Sequence, residues 1–332
     1  MKISAGIIGF GIGQKHFDSI ENYKGSKVKV ICEKNSKLIN KLRKKYPNKI
    51  ITNSEKEIFN DKDINLVSIA SYDNYHFPQI LKCIKTQKNF IVEKPMCLNE
   101  KELTIIKKKL KNNKTVKMSS NLVLRTNDLF NKIKKKINKN NIFYIEGDYM
   151  WGRSQKLMGW RSKISHYSII LGAAIHMIDL SIWLLEMRPI KVSVFANNIA
   201  TRNSKFKKKS FALIVLTFPK NILVKITANA VCVFNHFHEL KVYSKDKTFY
   251  HSINNSIEFR KKNLKTTMLK IQGKYPDKEN RKKLIRNFVD HLINKNNRLL
   301  IKTNEQLDLM TVCLAAEKSM KKNKEIKIEY GS

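Results

Sequence analysis

Two basic side chains, one after an apolar strand and one on an apolar helix, are of types that could move a proton and hold a developing negative charge. Lys94 lies in Glu93-Lys94-Pro95, directly after the apolar strand predicted over Phe90-Ile91-Val92. His176 lies on a strongly apolar helix predicted over Gly172 to Glu186. Taking a hydride from a secondary alcohol requires a base for the hydroxyl proton and a positive charge to hold alkoxide character. Histidine exchanges protons near neutral pH, so His176 is the candidate base and Lys94 the candidate electrostatic partner. Their bland alternatives are a core histidine and a surface lysine before a proline. Asp179, three residues after His176, either orients the imidazole or anchors the helix. Trp160 and Arg161 suit an anionic or ring-bearing substrate, one by stacking and one by bidentate hydrogen bonding, against the alternative of a surface loop with no ligand. His236 and His238, beside Glu239, have the spacing of a metal pair on a strand. Without further ligands they read as side chains of one strand face, and no metal is expected. Nothing near Cys97 marks it as a nucleophile.

A nucleotide site is suggested at the start of the chain, Ile3 to His16. Of 11 glycines, Gly6, Gly9, Gly11 and Gly13 fall together here. The apolar Ile7-Ile8 leads into Gly9-Phe10-Gly11-Ile12-Gly13, and a helix-compatible segment follows through Ile20. Such a turn lets backbone N–H groups approach a pyrophosphate at a helix N-terminus. The dinucleotide fingerprint wants its third glycine where Gln14 stands, and Gly13 comes one residue early. The next predicted strand, Val28 to Glu33, ends in a carboxylate able to hold ribose hydroxyls. Glu33 there repels a 2′-phosphate and favours NAD(H). Lys34 beside it keeps NADP(H) open.

The chain has 332 residues, enough for two domains with real cores. No apolar run is long enough to span a bilayer, and the glycines and missing cleavage site argue against a signal peptide. Five scattered cysteines without metal-ligand spacing fit a reducing cytoplasm. The net charge of +39 is spread over Lys-rich helix faces such as Lys107-Lys108-Lys109. No basic region carries interleaved aromatics or a nucleic-acid module, so neither nucleic acid nor membrane is expected as a partner. Steering of an anionic substrate is the more modest inference.

From residue 1 to about 121, short apolar strands alternate with amphipathic helices, the pattern of a parallel doubly wound sheet. Helices are predicted over Ser36–Lys45, before Asp61, after His76 to Thr86, and from the Asn99/Glu102 capping pair onward. Strands are predicted over Leu66–Ala70, Phe90–Val92 and Val116–Ser119. Ligands sit outside the carboxyl ends of such strands, where Glu33, Ser71, Asp73, Lys94 and Asn121 fall. The character changes at residue 122. A helix near Asp128–Asn138 and a strand over Ile142–Tyr149 precede an aromatic and basic loop and the apolar helix. Strands over Lys191–Asn197, Phe211–Phe218, Leu223–Val233, Leu240–Tyr243 and Phe249–Ile253 predict a largely antiparallel sheet. Helices near Glu279–Asn294 and Asn304–Lys321 and a strand over Ile326–Tyr330 close the chain.

Together these landmarks resemble the glucose-fructose oxidoreductase / inositol dehydrogenase / MocA family of nicotinamide-dependent sugar oxidoreductases. The resemblance covers essentially the whole chain. It rests on the glycine loop with His16, on Ser71 to His76, on Glu93-Lys94-Pro95, on Gly159-Trp160-Arg161 and on Gly172 to Asp179. It implies an α/β protein with a Rossmann domain over residues 1–121 and a C-terminal α/β domain over 122–332. The open, mostly antiparallel sheet of the second domain would join two or four copies. It implies cofactor contacts from His76 and Glu93 as well as the residues above, and substrate contacts from Lys94, Trp160, Arg161, His176 and Asp179. Two departures stand out. Many members carry Asp where this chain has Gly172, one turn before the histidine, and that space is expected to be open to substrate or water. Ser71-Tyr72-Asp73 replaces the usual Thr-Pro-Asn. The expected activity is NAD(H)-dependent oxidation or reduction of a sugar, cyclitol or nucleotide-linked sugar. The competing reading is a dinucleotide-binding sensor without turnover, favoured by Gly172 and disfavoured by retention of Lys94 and His176.

Overall fold

The protein is described by a computed structural model over residues 2–262 and 265–331. The chain forms two compact units. One runs to Thr126 and takes in Lys278–Leu307; the other comprises Asn127–Asp277 and the segment from Asp308 onward.

In the first unit the alternation of apolar runs and amphipathic helices folds as β1 (Ile3–Ile8), α1 (Gly13–Glu21), β2 (Ser26–Cys32), α2 (Ser36–Lys45), β3 (Ile50–Thr52), α3 (Lys56–Phe59), β4 (Leu66–Ile69), α4 (Asp73–Lys85), β5 (Asn89–Val92), α5 (Glu100–Lys111) and β6 (Met118–Ser120). The six strands are parallel in the order β3-β2-β1-β4-β5-β6. The order reverses between β1 and β4, which places the glycine turn at the switch point. β1 and β4 are buried at every position, as strands covered on both faces must be. Asn35 caps α2 by accepting the Leu38 N–H, and Asn99 caps α5 by accepting the Glu102 N–H. The Glu102 carboxylate closes the box on Leu98 N–H. α9 (Asn280–Ile293), far along the chain, sets Ile285, Phe288 and Val289 into the core that Ile3, Ile7, Phe17 and Ile20 form beneath α1. One boundary differs from expectation: α4 begins at Asp73, so Asp73 to His76 form its first turn rather than a loop. Tyr72, extended at the N-cap, marks the change.

The second unit contains α6 (Asp128–Lys136), β7 (Ile142–Met150), the short α7 (Trp160–Lys163), α8 (Ile175–Leu185), β8 (Lys191–Asn197), β9 (Phe211–Thr217), β10 (Leu223–Asn229), β11 (Phe237–Ser244), β12 (Lys247–His251), β13 (Ser256–Lys262), β14 (Lys265–Lys270), most of α10 (Thr303–Lys322) and β15 (Ile326–Lys327). Its sheet runs β14-β13-β12-β11-β7-β10-β9-β8-β15 and is antiparallel except between β7 and β10. Burial alternates along β9 and β10, and the buried face packs against α8. The other face carries Tyr144, Phe195, Leu213 and Val215, all partly or fully exposed. β10 is shorter than the predicted Leu223–Val233, because the Asn229 side chain accepts the Val231 N–H and turns the chain. β13 and β14 escape sequence reading; β14, Lys-Thr-Thr-Met-Leu-Lys, is exposed throughout and has no buried face to set a pattern. Only two residues of the predicted Ile326–Tyr330 strand pair, against β8. Among the described residues no helix is long and apolar enough to cross a membrane.

Candidate active site

The glycine turn is built by close backbone approach. Gly9 has φ +84°, and a Cβ there would come within 2.6 Å of Ala70 O at the end of β4. Gly11 is the opposite case: a Cβ there meets nothing within 4 Å, so the turn is open at its tip. Ile12, the N-cap of α1, offers no side-chain cap; the Lys15 N–H donates to Ile12 O at 2.9 Å, which leaves the N–H groups of Gly13 and Gln14 to a ligand or water. Glu33 ties this turn to β2. One carboxylate oxygen accepts the Phe10 N–H at 2.8 Å; the other accepts the N–H groups of Lys34 and Asn35 at 2.7 and 2.9 Å. Glu33 is only partly buried, so lone pairs remain at its outer edge. The Lys34 ammonium is turned to Asn53 O at 2.7 Å. An open glycine tip, an uncapped helix start and an anchored carboxylate fit a dinucleotide.

At the carboxyl ends of β4, β5 and β6 the residues gather around Glu93. Its carboxylate accepts from His16 Nε2 at 3.0 Å and from the Asn121 amide, and Arg281 Nε lies 3.5 Å away. His16 is fully buried, with Nδ1 2.8 Å from Ser68 Oγ. Burial opposes ionisation of Glu93, but His16, Arg281 and Lys94 outweigh it and hold the carboxyl well below the usual range. Lys94, next in the chain, is partly buried. His76 is also fully buried, with Nδ1 2.7 Å from Pro95 O and Nε2 3.1 Å from Ser71 O. It clamps two strand-end loops together. Ser71 Oγ donates to Gln79 on α4 at 2.7 Å, and Asp73 is the first residue of that helix. Cys97 is buried, which pushes its thiol up and away from reactivity.

In the second unit, the predicted helix divides. Ile170–Ala174 form a π-turn, and α8 begins at Ile175. The wider turn shifts Gly172 off the ideal one-turn relation to His176. The space at Gly172 is filled: a Cβ there would lie 2.3 Å from Tyr167 Oη and 2.8 Å from its Cζ. The expectation of open space is corrected, because the tyrosine ring occupies it. His176 is buried, and its ring lies parallel to Tyr149 at 6.0 Å between centroids. His238 meets His176 edge-on at 6.1 Å, and His236 Nε2 is 3.0 Å from Tyr149 Oη. His238 Nδ1 is hydrogen-bonded to Tyr275 Oη. The two strand histidines are therefore part of an aromatic cluster around His176. Asp179 is buried on α8.

Arg161 lies over three rings, its guanidinium carbon 4.1 Å from Trp160, 5.3 Å from Trp151 and 5.8 Å from Tyr167. Trp160 meets Tyr167 edge-on at 6.3 Å. The predicted residues thus fall into three groups: the turn with Glu33, the strand ends around Glu93, and the His176 and Arg161 surroundings. Sequence reading missed Arg281, Tyr149, Tyr167 and Tyr275. Arg281 and Tyr275 carried no local signal, since long-range packing brings them in; Tyr149 carried one, the end of the strand before the aromatic loop.

Comparison with known proteins places this geometry. The family model described as an oxidoreductase family with an NAD-binding Rossmann fold matches residues 3–121, and its C-terminal alpha/beta domain matches residues 134–328. The scyllo-inositol 2-dehydrogenase (NADP(+)) IolW of Bacillus subtilis is 25% identical over 211 residues, 61% of this chain and 56% of the relative. The matched segment thus spans little more than half the length of that curated relative. Two solved structures share the fold: myo-inositol 2-dehydrogenase from Lactobacillus plantarum, at 16% identity and TM-score 0.83, covering 99% of this chain and all of that one; and scyllo-inositol dehydrogenase from Lactobacillus casei with bound NAD(H) and scyllo-inositol, at 17% and 0.82, covering 98% and 99%.

Proposed function

The chain belongs to the Gfo/Idh/MocA family of NAD(P)-dependent oxidoreductases, and from that premise we propose a dehydrogenase that acts on a CH–OH group of a sugar, cyclitol or nucleotide-linked sugar. The observation that carries this reading is the pairing of an open, uncapped glycine turn with an anchored Glu33 in the same chain as a buried His176. NAD(H) is preferred over NADP(H): the Glu33 carboxylate disfavours a second negative charge, and Lys34 is committed to Asn53 O. A nicotinamide held there would supply the hydride acceptor or donor. The Gly11–Gly13 turn and the start of α1 would hold its pyrophosphate by backbone N–H groups, and Glu33 would accept from the adenosine ribose. His176 takes the hydroxyl proton in the oxidation direction, and Lys94 offsets the negative charge that develops on oxygen. Cytoplasmic location fits the scattered free thiols.

A screen of sugars, inositols and sugar nucleotides with NAD, read at the nicotinamide absorbance, tests the reading. On a verified substrate, His176→Ala and Lys94→Ala should each lower kcat by ~10²–10⁴-fold with NAD affinity retained. Near-full activity of His176→Ala moves the base to Asp179. Tight NAD binding with no turnover of any substrate transfers the protein to the sensor reading.

A further inference from the structure

The loop that holds Arg161 gathers more positive charge than one guanidinium. Lys208, from the segment between β8 and β9, donates to Ser162 O at 3.2 Å and to Arg161 O at 3.5 Å. Arg161 Nη1 reaches Lys156 O at 3.4 Å. Arg153 stands just before Lys156, and Arg153, Arg161 and Lys208 are partly buried. Burial lowers the proton affinity of Lys208; burial together with the guanidiniums of Arg153 and Arg161 lowers that of Lys156. Among the described residues none of these four cations forms an ion pair with a carboxylate. Elsewhere the same chain does pair its cations: Lys134 with Glu186, Lys241 with Glu146, Arg260 with Glu258. Lys156 is itself exposed, and Arg153 and Arg161 repel its ammonium; an anion among these cations removes that cost.

The cluster also adjoins His176 within its own unit. Tyr149, whose ring lies parallel to His176, sits in the field of Arg153 and Arg161. Tyr167 touches both sides, under Arg161 and against Gly172 in the turn before His176. We propose that Arg153, Lys156, Arg161 and Lys208 form a subsite for an anionic group, phosphate or carboxylate, carried by the substrate away from the carbon that is oxidised. Calling the ligand a substrate rests on the dehydrogenase reading; the anion site itself does not.

Two of the three tryptophans, Trp151 and Trp160, lie against Arg161, so their fluorescence reports on the cluster. In a Trp183→Phe background, the protein is titrated with inorganic phosphate and, separately, with glucuronate, at ionic strength held constant with sodium chloride. A saturable change with either probe is expected, at least tenfold weaker in Lys208→Gln and in Arg153→Gln; which probe saturates separates phosphate from carboxylate. No saturable response to either, or one unchanged in both variants, overturns the subsite. A parallel screen pairs each neutral sugar with its phosphate and its uronate. Saturable anion binding without turnover of any sugar leaves the subsite standing and sinks the dehydrogenase reading. Turnover of neutral sugars without anion binding does the reverse.

Discussion

Glu93 shows how one side chain can bind a neighbouring loop and two helices, one of them distant in the chain. His16, Asn121 and Arg281 converge on its carboxylate. Glu93→Gln leaves a buried imidazole and a guanidinium facing an amide, and removal of one partner from a buried ion pair costs about 3–5 kcal/mol. The folded carboxyl is held below its ordinary value, so its contribution is present above the unfolded value near ~4.3 and is lost as pH falls through the folded one. Resistance of the wild type to urea should therefore fall steeply with acid below ~4.3. The Gln variant should be weaker at pH 7 and should lose this part of the slope; parallel pH curves for the two proteins would contradict the assignment. Glu33 acts differently, because it sits at a strand end and contributes little to the core. Glu33→Ala should fold normally and narrow the preference for NAD(H), as measured by calorimetry with both cofactors. An unchanged ratio would mean that the carboxylate does not face the ribose.

At the scale of elements, the π-turn before α8 decides what surrounds His176. Its wider radius admits the Tyr167 ring where an ordinary helix would carry a side chain at position 172. Gly172→Ala places a methyl group 2.3 Å from the tyrosine oxygen, and overpacking of this kind costs about 1–3 kcal/mol. Tyr167→Ala removes the obstacle, so the double variant should be less destabilised than the sum of the singles. Thermal unfolding of the four proteins completes the cycle. Additive losses would show that the ring does not occupy that space.

Over the whole molecule, the second sheet leaves Tyr144, Phe195, Leu213 and Val215 on the face opposite α8, exposed or partly so. We expect that face to join two or four copies, since exposed apolar rows of this kind mark interfaces. Sedimentation should give a mass two or four times that of the chain, and Phe195→Glu with Leu213→Glu should shift it to the monomer. A wild-type monomer at all concentrations would refute this. The +39 charge, spread along helices, works against close association at low salt, so the oligomer should strengthen with ionic strength.

Local rules were enough for the parallel sheet, α2 and the start of α5. Strand–helix alternation, Asn caps and breakers act over a few residues, and Ser36–Lys45 was read to the residue. The glycine turn, Glu33, Lys94 and His176 were legible for the same reason: each stands beside an apolar strand or on an apolar helix. Tertiary structure alone decided what those residues meet. Arg281 reaches Glu93 only because α9 returns to the first unit, and His236 and His238 meet Tyr149 only because β11 pairs with β7. Tyr167 fills the Gly172 space by a contact over five residues that no helical periodicity describes. β14 stayed invisible because pairing with a neighbour, not burial, makes it a strand, and β13 because its buried face carries the polar Ser256 and Glu258, which set no apolar pattern. Periodicity records which face of an element is buried; it carries nothing about the partner across that face.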